Sequence, residues 1–155
     1  MLNGNSSLIK NYKLITIYVM SLMYIFIGIR HFTDPQYFLE IVPPRLPFKL
    51  FLVYVTGLVE IIGGAAILFS KTRRIGAFLL IFLLIVVFPA NIYLFLSEAP
   101  QNALGVSKMD ALIRMPFQIP LIILAYWHSK NNHPKWVVIL SSLLFIPTLI
   151  YFLSI

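Results

Sequence analysis

The stretch FLVYVTGLVEIIGGAAILFS, residues 51–70, decides the fold. It carries a single charged residue, Glu60, near its middle. A helix rises about 1.5 Å per residue and a bilayer core is about 30 Å thick, so roughly 20 apolar residues span it. Backbone amides in hydrocarbon need partners within the same segment, so such a stretch is a helix and not a strand. Working outward, the apolar segments are Leu14–Ile29, Leu50–Ser70, Ile75–Ser97, Ala111–His128 and Trp136–Ile155. The first and fourth are a little short of a full span. The sequence therefore predicts an all-α polytopic membrane protein: a four-helix bundle plus a fifth, C-terminal transmembrane helix. Residues 1–155 form one membrane domain, with a core over 14–128 and the extra helix over 136–155.

Composition agrees. Of 155 residues, 60% are hydrophobic and 11% charged, far below the quarter of charged residues usual in soluble domains. Mean hydropathy is +0.92. The absence of cysteine excludes disulfides, thiolate metal sites and iron–sulfur ligation by this chain. Net charge is +7, but the basic residues lie mainly in short segments between apolar runs. Topology signals and anionic lipid headgroups explain that placement, and nucleic acid does not.

The first apolar segment has a basic flank, Lys10 and Lys13, yet ends in Gly28, Ile29, Arg30 and His31 without a small-x-small cleavage pattern. It reads as a retained helix. Lys10, Lys13, Lys71, Arg73, Arg74, Lys130 and Lys135 fall on one side, which predicts a cytoplasmic N-terminus. The turn SKTRR makes the second and third segments antiparallel neighbours. The connection RHFTDPQYFLEIVPPRLPFK is too apolar for a solvated loop, and is expected in the interface or over the bundle mouth. SEAPQNALGVSKMD reads as an ordinary solvated connection.

Ionisable and amide side chains inside a membrane are costly and need partners. Gly57, Glu60 and Gly64 share one helical stripe whose small residues admit another helix closely. Asp110, Arg114 and Gln118 share a face of the fourth segment. Asn91 follows Pro89, which frees the carbonyl of Ile85. Tyr24, Gly28 and His31 line the end of the first segment. In the assigned topology His31, Glu60, Asn91, Arg114 and Gln118 all lie toward the outer leaflet. They predict one polar pocket with Glu60 as its floor and Arg114 as its counter-charge. Three structural alternatives stand beside it. Arg114 pairs instead with Asp110 one turn earlier, Glu60 is only a hydrogen-bonded packing device, or Asn91 and Gln118 simply join helices. No residue set suggests catalysis or a metal site. His31 is a membrane thickness from His128 and His133, which rules out a bis-histidine haem, and Ser21 has no histidine near it for a nucleophilic triad.

GIRHFTDPQYFLEIVPPRLP, YVTGLVEIIGG, FPANIY and RMPFQIPLIILAYW, in this order, resemble the DoxX-like bacterial membrane proteins, over roughly Tyr24 to Trp127. The resemblance implies a four-helix bundle in the bacterial cytoplasmic membrane, linked to redox or oxidant-defence systems. It makes His31, Glu60, Asn91, Arg114 and Gln118 candidate ligand-binding positions, with a quinone or a lipid as the ligand and a redox complex as a partner. The helix over 136–155 departs from that pattern. It favours another role, a scaffold or assembly chaperone that binds other membrane proteins, in which the polar cluster serves only the fold.

Overall fold

The computed structural model describes residues 3–130, 132 and 134–153, so His133 and the last two residues of the fifth apolar segment lie outside the described residues. The chain is helical, in the order α1 (Asn3–Thr33), α2 (Pro35–Glu40), α3 (Lys49–Leu68), α4 (Arg73–Leu96), α5 (Glu98–Leu104), α6 (Lys108–His128) and α7 (Lys135–Leu153). Among the described residues, four helices are long and apolar enough to cross a membrane: Ser7–Thr33 within α1, then α3, α4 and α6. The first is longer than the apolar run alone suggested. The C-terminal helix is apolar but shorter over Lys135–Tyr151, and is not among these four.

The bundle is built around α3, which packs against α1 on one side and α4 on the other, while α4 packs against α6. Small residues make both α3 contacts close. A Cβ placed on Gly57 would lie 2.4 Å from His31 Cβ and 2.9 Å from the Gly28 carbonyl oxygen. A Cβ on Gly76 of α4 would lie 2.9 Å from the Gly63 carbonyl oxygen of α3. The stripe of Gly57, Glu60 and Gly64 thus faces α1, as the spacing predicts. Ser21 Oγ donates to the Gly64 carbonyl at 2.7 Å and ties the two helices near mid-bundle.

Longer side chains close the ring between α1 and α6. Ile17, Met20 and Tyr24 meet Leu121, Leu124 and Trp127 in one buried core. At the same end Thr16 Oγ1 lies 3.0 Å from Nε2 of His128, a buried histidine, and Lys13 Nζ donates to the Lys130 carbonyl. The α7 helix lies over this seam. Val137, Ser141, Phe145 and Thr148 form its buried stripe, and Tyr12 Oη donates to the Ser142 carbonyl at 3.2 Å. Its opposite row, including Ile139, Leu143, Ile146 and Ile150, is exposed.

The two ends differ. At one, the α3–α4 turn is tight: Arg73 donates from Nε to the Ile67 carbonyl at 2.8 Å and from a terminal guanidinium nitrogen to the Leu68 carbonyl at 3.0 Å. These bonds satisfy carbonyls left open at the α3 terminus. At the other end the two longer connections each fold a short helix. Pro35 starts α2, where its missing N–H is no loss. Against the expectation of a plain solvated connection, residues 97–107 contain α5, whose Pro100 is buried and which packs on α2. Gly105 closes α5 at φ 63°, a left-handed position that glycine adopts without a Cβ penalty. Together α2 and α5 cover this end of the bundle.

Candidate functional site

The site is built from the facing ends of α1 and α3 and from the α2 cover. Tyr24, Gly28 and His31 share the face of α1 that meets α3. His31 is buried, and its Nδ1 lies 3.3 Å from Glu60 Oε2 and 3.0 Å from the Ile27 carbonyl oxygen. A proton on that nitrogen is directed at the Ile27 carbonyl, and Glu60 meets the ring at ion-pair distance without a hydrogen bond. The His31 and Glu60 side chains are only 7% and 15% exposed, so the pair sits in the protein interior. Tyr24 Oη and Glu60 Oε2 are buried without a hydrogen-bond partner among the described residues.

Phe38 of α2 lies flat on His31, with ring centroids 3.5 Å apart and planes inclined by 21°. Tyr37 meets Phe38 edge-on at 5.3 Å. A terminal nitrogen of Arg114 lies 3.3 Å from the Tyr37 hydroxyl, and the Arg30 guanidinium stands over the Tyr37 ring at 5.6 Å while pairing with Asp34 at 3.5 Å. Glu60, His31, Phe38, Tyr37 and Arg114 therefore form one contiguous chain.

This arrangement corrects the expected pairing. No ion pair joins Glu60 to Arg114 among the described residues; the carboxylate meets His31, and the guanidinium meets a phenol. The reason is the α2 helix, whose two aromatic rings occupy the space between them. Nor does Arg114 pair with Asp110. That carboxylate closes a capping box at the start of α6: Ser107 Oγ accepts from the Asp110 N–H at 3.1 Å, and Asp110 Oδ2 accepts from the Ser107 N–H at 3.2 Å. His31, near the end of the first segment, is buried. Ser21 is a helix tie.

Gln118 lies elsewhere. It is 7% exposed and lines a cavity of about 340 Å³ between α4 and α6. The other lining residues are apolar: Leu84, Ile85 and Phe88 from α4, and Met115, Pro116, Ile119 and Ile122 from α6. Ile85 and Ile119 are also exposed on the bundle surface, so the cavity opens sideways between the helices. The Gln118 amide makes no hydrogen bond among the described residues. Asn91, three residues beyond Phe88 on α4, is half-buried and likewise unbonded. The five expected residues thus occupy two places: His31, Glu60 and Arg114 along the covered end of the bundle, and Gln118 with Asn91 along the α4–α6 side.

Sequence reasoning missed Tyr37 and Phe38 as site residues and the buried Thr16–His128 contact. Asp34 followed by Pro35, the first residue of PQYFLE, is a helix-start signal that points to the first two. Nothing in the local sequence pairs Thr16 with a residue over a hundred positions away.

Four apolar spans and an interior ionisable pair define an α-helical multi-pass membrane protein. More particularly, the family described as "Domain of unknown function (DUF8561)" matches residues 20–129, and the chain belongs to it. That match contains all five expected site residues and ends before α7. Comparison with curated proteins and with solved structures returns no match.

Proposed function

We propose that this protein is a non-catalytic membrane subunit that holds a small, largely apolar ligand bearing a hydrogen-bond acceptor, a quinone or a lipid carbonyl, between α4 and α6. One observation carries the reading: a sideways-open apolar cavity of about 340 Å³ lined by Gln118, whose side-chain amide makes no hydrogen bond among the described residues. Ligand sites of this size pair an apolar lining with a few fixed polar groups. Gln118 donates to the ligand oxygen, and Asn91 extends the polar track toward the covered end. The DoxX-like resemblance supports a redox or oxidant-defence setting in a bacterial cytoplasmic membrane, and the excess of basic residues at the α3–α4 turn supports a cytoplasmic N-terminus.

The test is titration of the purified protein with a short-chain ubiquinone analogue and, separately, with a medium-chain acyl ester. Gln118→Leu keeps the volume and removes the donor. It should weaken binding of the true ligand about fivefold to tenfold, the worth of one hydrogen bond of about 1 kcal/mol. Equal affinity of variant and wild type for both compounds, or no saturable binding of either, removes the cavity from the account.

A scaffold role is the second reading, favoured by the exposed apolar row of α7, a helix beyond the family match. It takes α7 as a fifth span that presents this row to another membrane protein. Deleting residues 135–155 and comparing crosslinked partners in the membrane decides it. Loss of specific partners supports the scaffold, and an unchanged set ends it.

A further inference from the structure

The charge of this chain is not spread over the molecule. At the end covered by α2 and α5 lie Arg30, Arg45, Lys49, Lys108 and Arg114, together with Asp34, Glu40, Glu98 and Asp110. The fifth carboxylate, Glu60, is the interior partner of His31. The other end carries the remaining seven basic residues and no carboxylate, so the whole formal charge of +7 belongs to one face.

Two of those seven are committed inward, Lys13 to the Lys130 carbonyl and Arg73 to the carbonyls of Ile67 and Leu68. Lys130 stands over the Tyr126 ring at 5.5 Å. Lys10, Lys71, Arg74 and Lys135 are exposed and have no carboxylate within ion-pair distance among the described residues. They sit at the ends of three spans and at the start of α7, the depth at which lipid phosphates lie. Trp136, 61% exposed beside Lys135, is an aromatic of the kind that settles at headgroup level.

We infer that this face is a docking surface for anionic phospholipid headgroups, with Lys10, Lys71, Arg74 and Lys135 as the contacting cations. Charge complementarity carries the assignment: a face with cations alone, fixed at the membrane surface, meets phosphodiesters before any other polyanion. Basic groups near an anionic leaflet each contribute favourably, and the attraction falls off within about 8 Å at physiological salt. The surface lies at the opposite end from the α2/α5 cover and does not depend on what the α4–α6 cavity holds.

The experiment uses the full-length protein in a neutral detergent, where topology is not at issue. Thermal unfolding is followed with added phosphatidylglycerol or phosphatidylcholine, at low salt and at high salt. Phosphatidylglycerol should raise the unfolding midpoint by several degrees at low salt and by little at high salt, and phosphatidylcholine should not. Lys10→Gln/Lys71→Gln/Arg74→Gln/Lys135→Gln should lose at least half of that rise. Arg45→Gln/Lys49→Gln, at the covered end, should keep it. If the fourfold variant does not fold, Lys71→Gln/Arg74→Gln alone should lose a measurable part. An equal rise in wild type and variants, an equal rise with phosphatidylcholine, or stabilisation by single-stranded DNA without any by phosphatidylglycerol overturns the assignment.

Discussion

Gly57→Ala should destabilise the bundle by about 1–3 kcal/mol, although alanine is the better helix former by about 1 kcal/mol. The added methyl meets His31 Cβ at 2.4 Å and the Gly28 carbonyl oxygen at 2.9 Å. Neither is the far end of a flexible side chain. The carbonyl belongs to the α1 backbone and the Cβ is fixed to it, so α1 and α3 must separate. Separation also draws His31 from Glu60 and loosens the Ser21 tie to Gly64. Gly57→Val should be worse. Thermal unfolding in detergent measures both, and a Gly57→Ala protein as stable as wild type would show that the two helices do not meet this closely.

His31→Ala should lose about 3 kcal/mol, the scale on which breaking a buried pair leaves one partner uncompensated. Alanine keeps the Cβ that faces Gly57, so the helix contact itself is preserved. What goes is the ion-pair partner of the Glu60 carboxyl and the ring on which Phe38 lies. Glu60→Leu replaces the carboxyl by an apolar group of similar size. In the double variant no buried acid is left without its ion-pair partner, so His31→Ala/Glu60→Leu should regain at least half of the loss. A double-mutant cycle reads the coupling directly. Strictly additive losses would mean that the 3.3 Å approach has no energetic weight.

Much of the fold was legible because membrane spans obey one dominant constraint. Length and apolarity located α3, α4 and α6 within a few residues, and the glycine spacing in α3 foretold a close helix contact there without naming α1 as the partner. The start of α1 was set too late because Lys10 and Lys13 looked like its boundary, whereas a helix carries such residues with their charged ends at the membrane surface. The interior polar residues were legible one by one, and their contacts were not. Depth along a helix follows from counting, which put His31 and Glu60 in the same half of the bilayer but did not pair them. Which neighbour fills the space between two spans depends on loops, and α2 supplied rings where an ion pair was expected. The fate of Asp110 was readable, since serine three positions ahead of an acid at a helix start forms a capping box. The α4–α6 cavity was not readable, because a void records where several side chains fail to meet.

The contact between α2 and α5 bears on how the protein is made. The first two spans can pair, and bring the histidine and the carboxyl together, once residue 68 has left the ribosome. The outer helix that covers them rests on a second short helix emitted some thirty residues later. During that interval α2 lies against α1 and α3 without its α5 neighbour. The α2–α5 contact is a late step of biogenesis, made only when the third span has been threaded and the two connections have met.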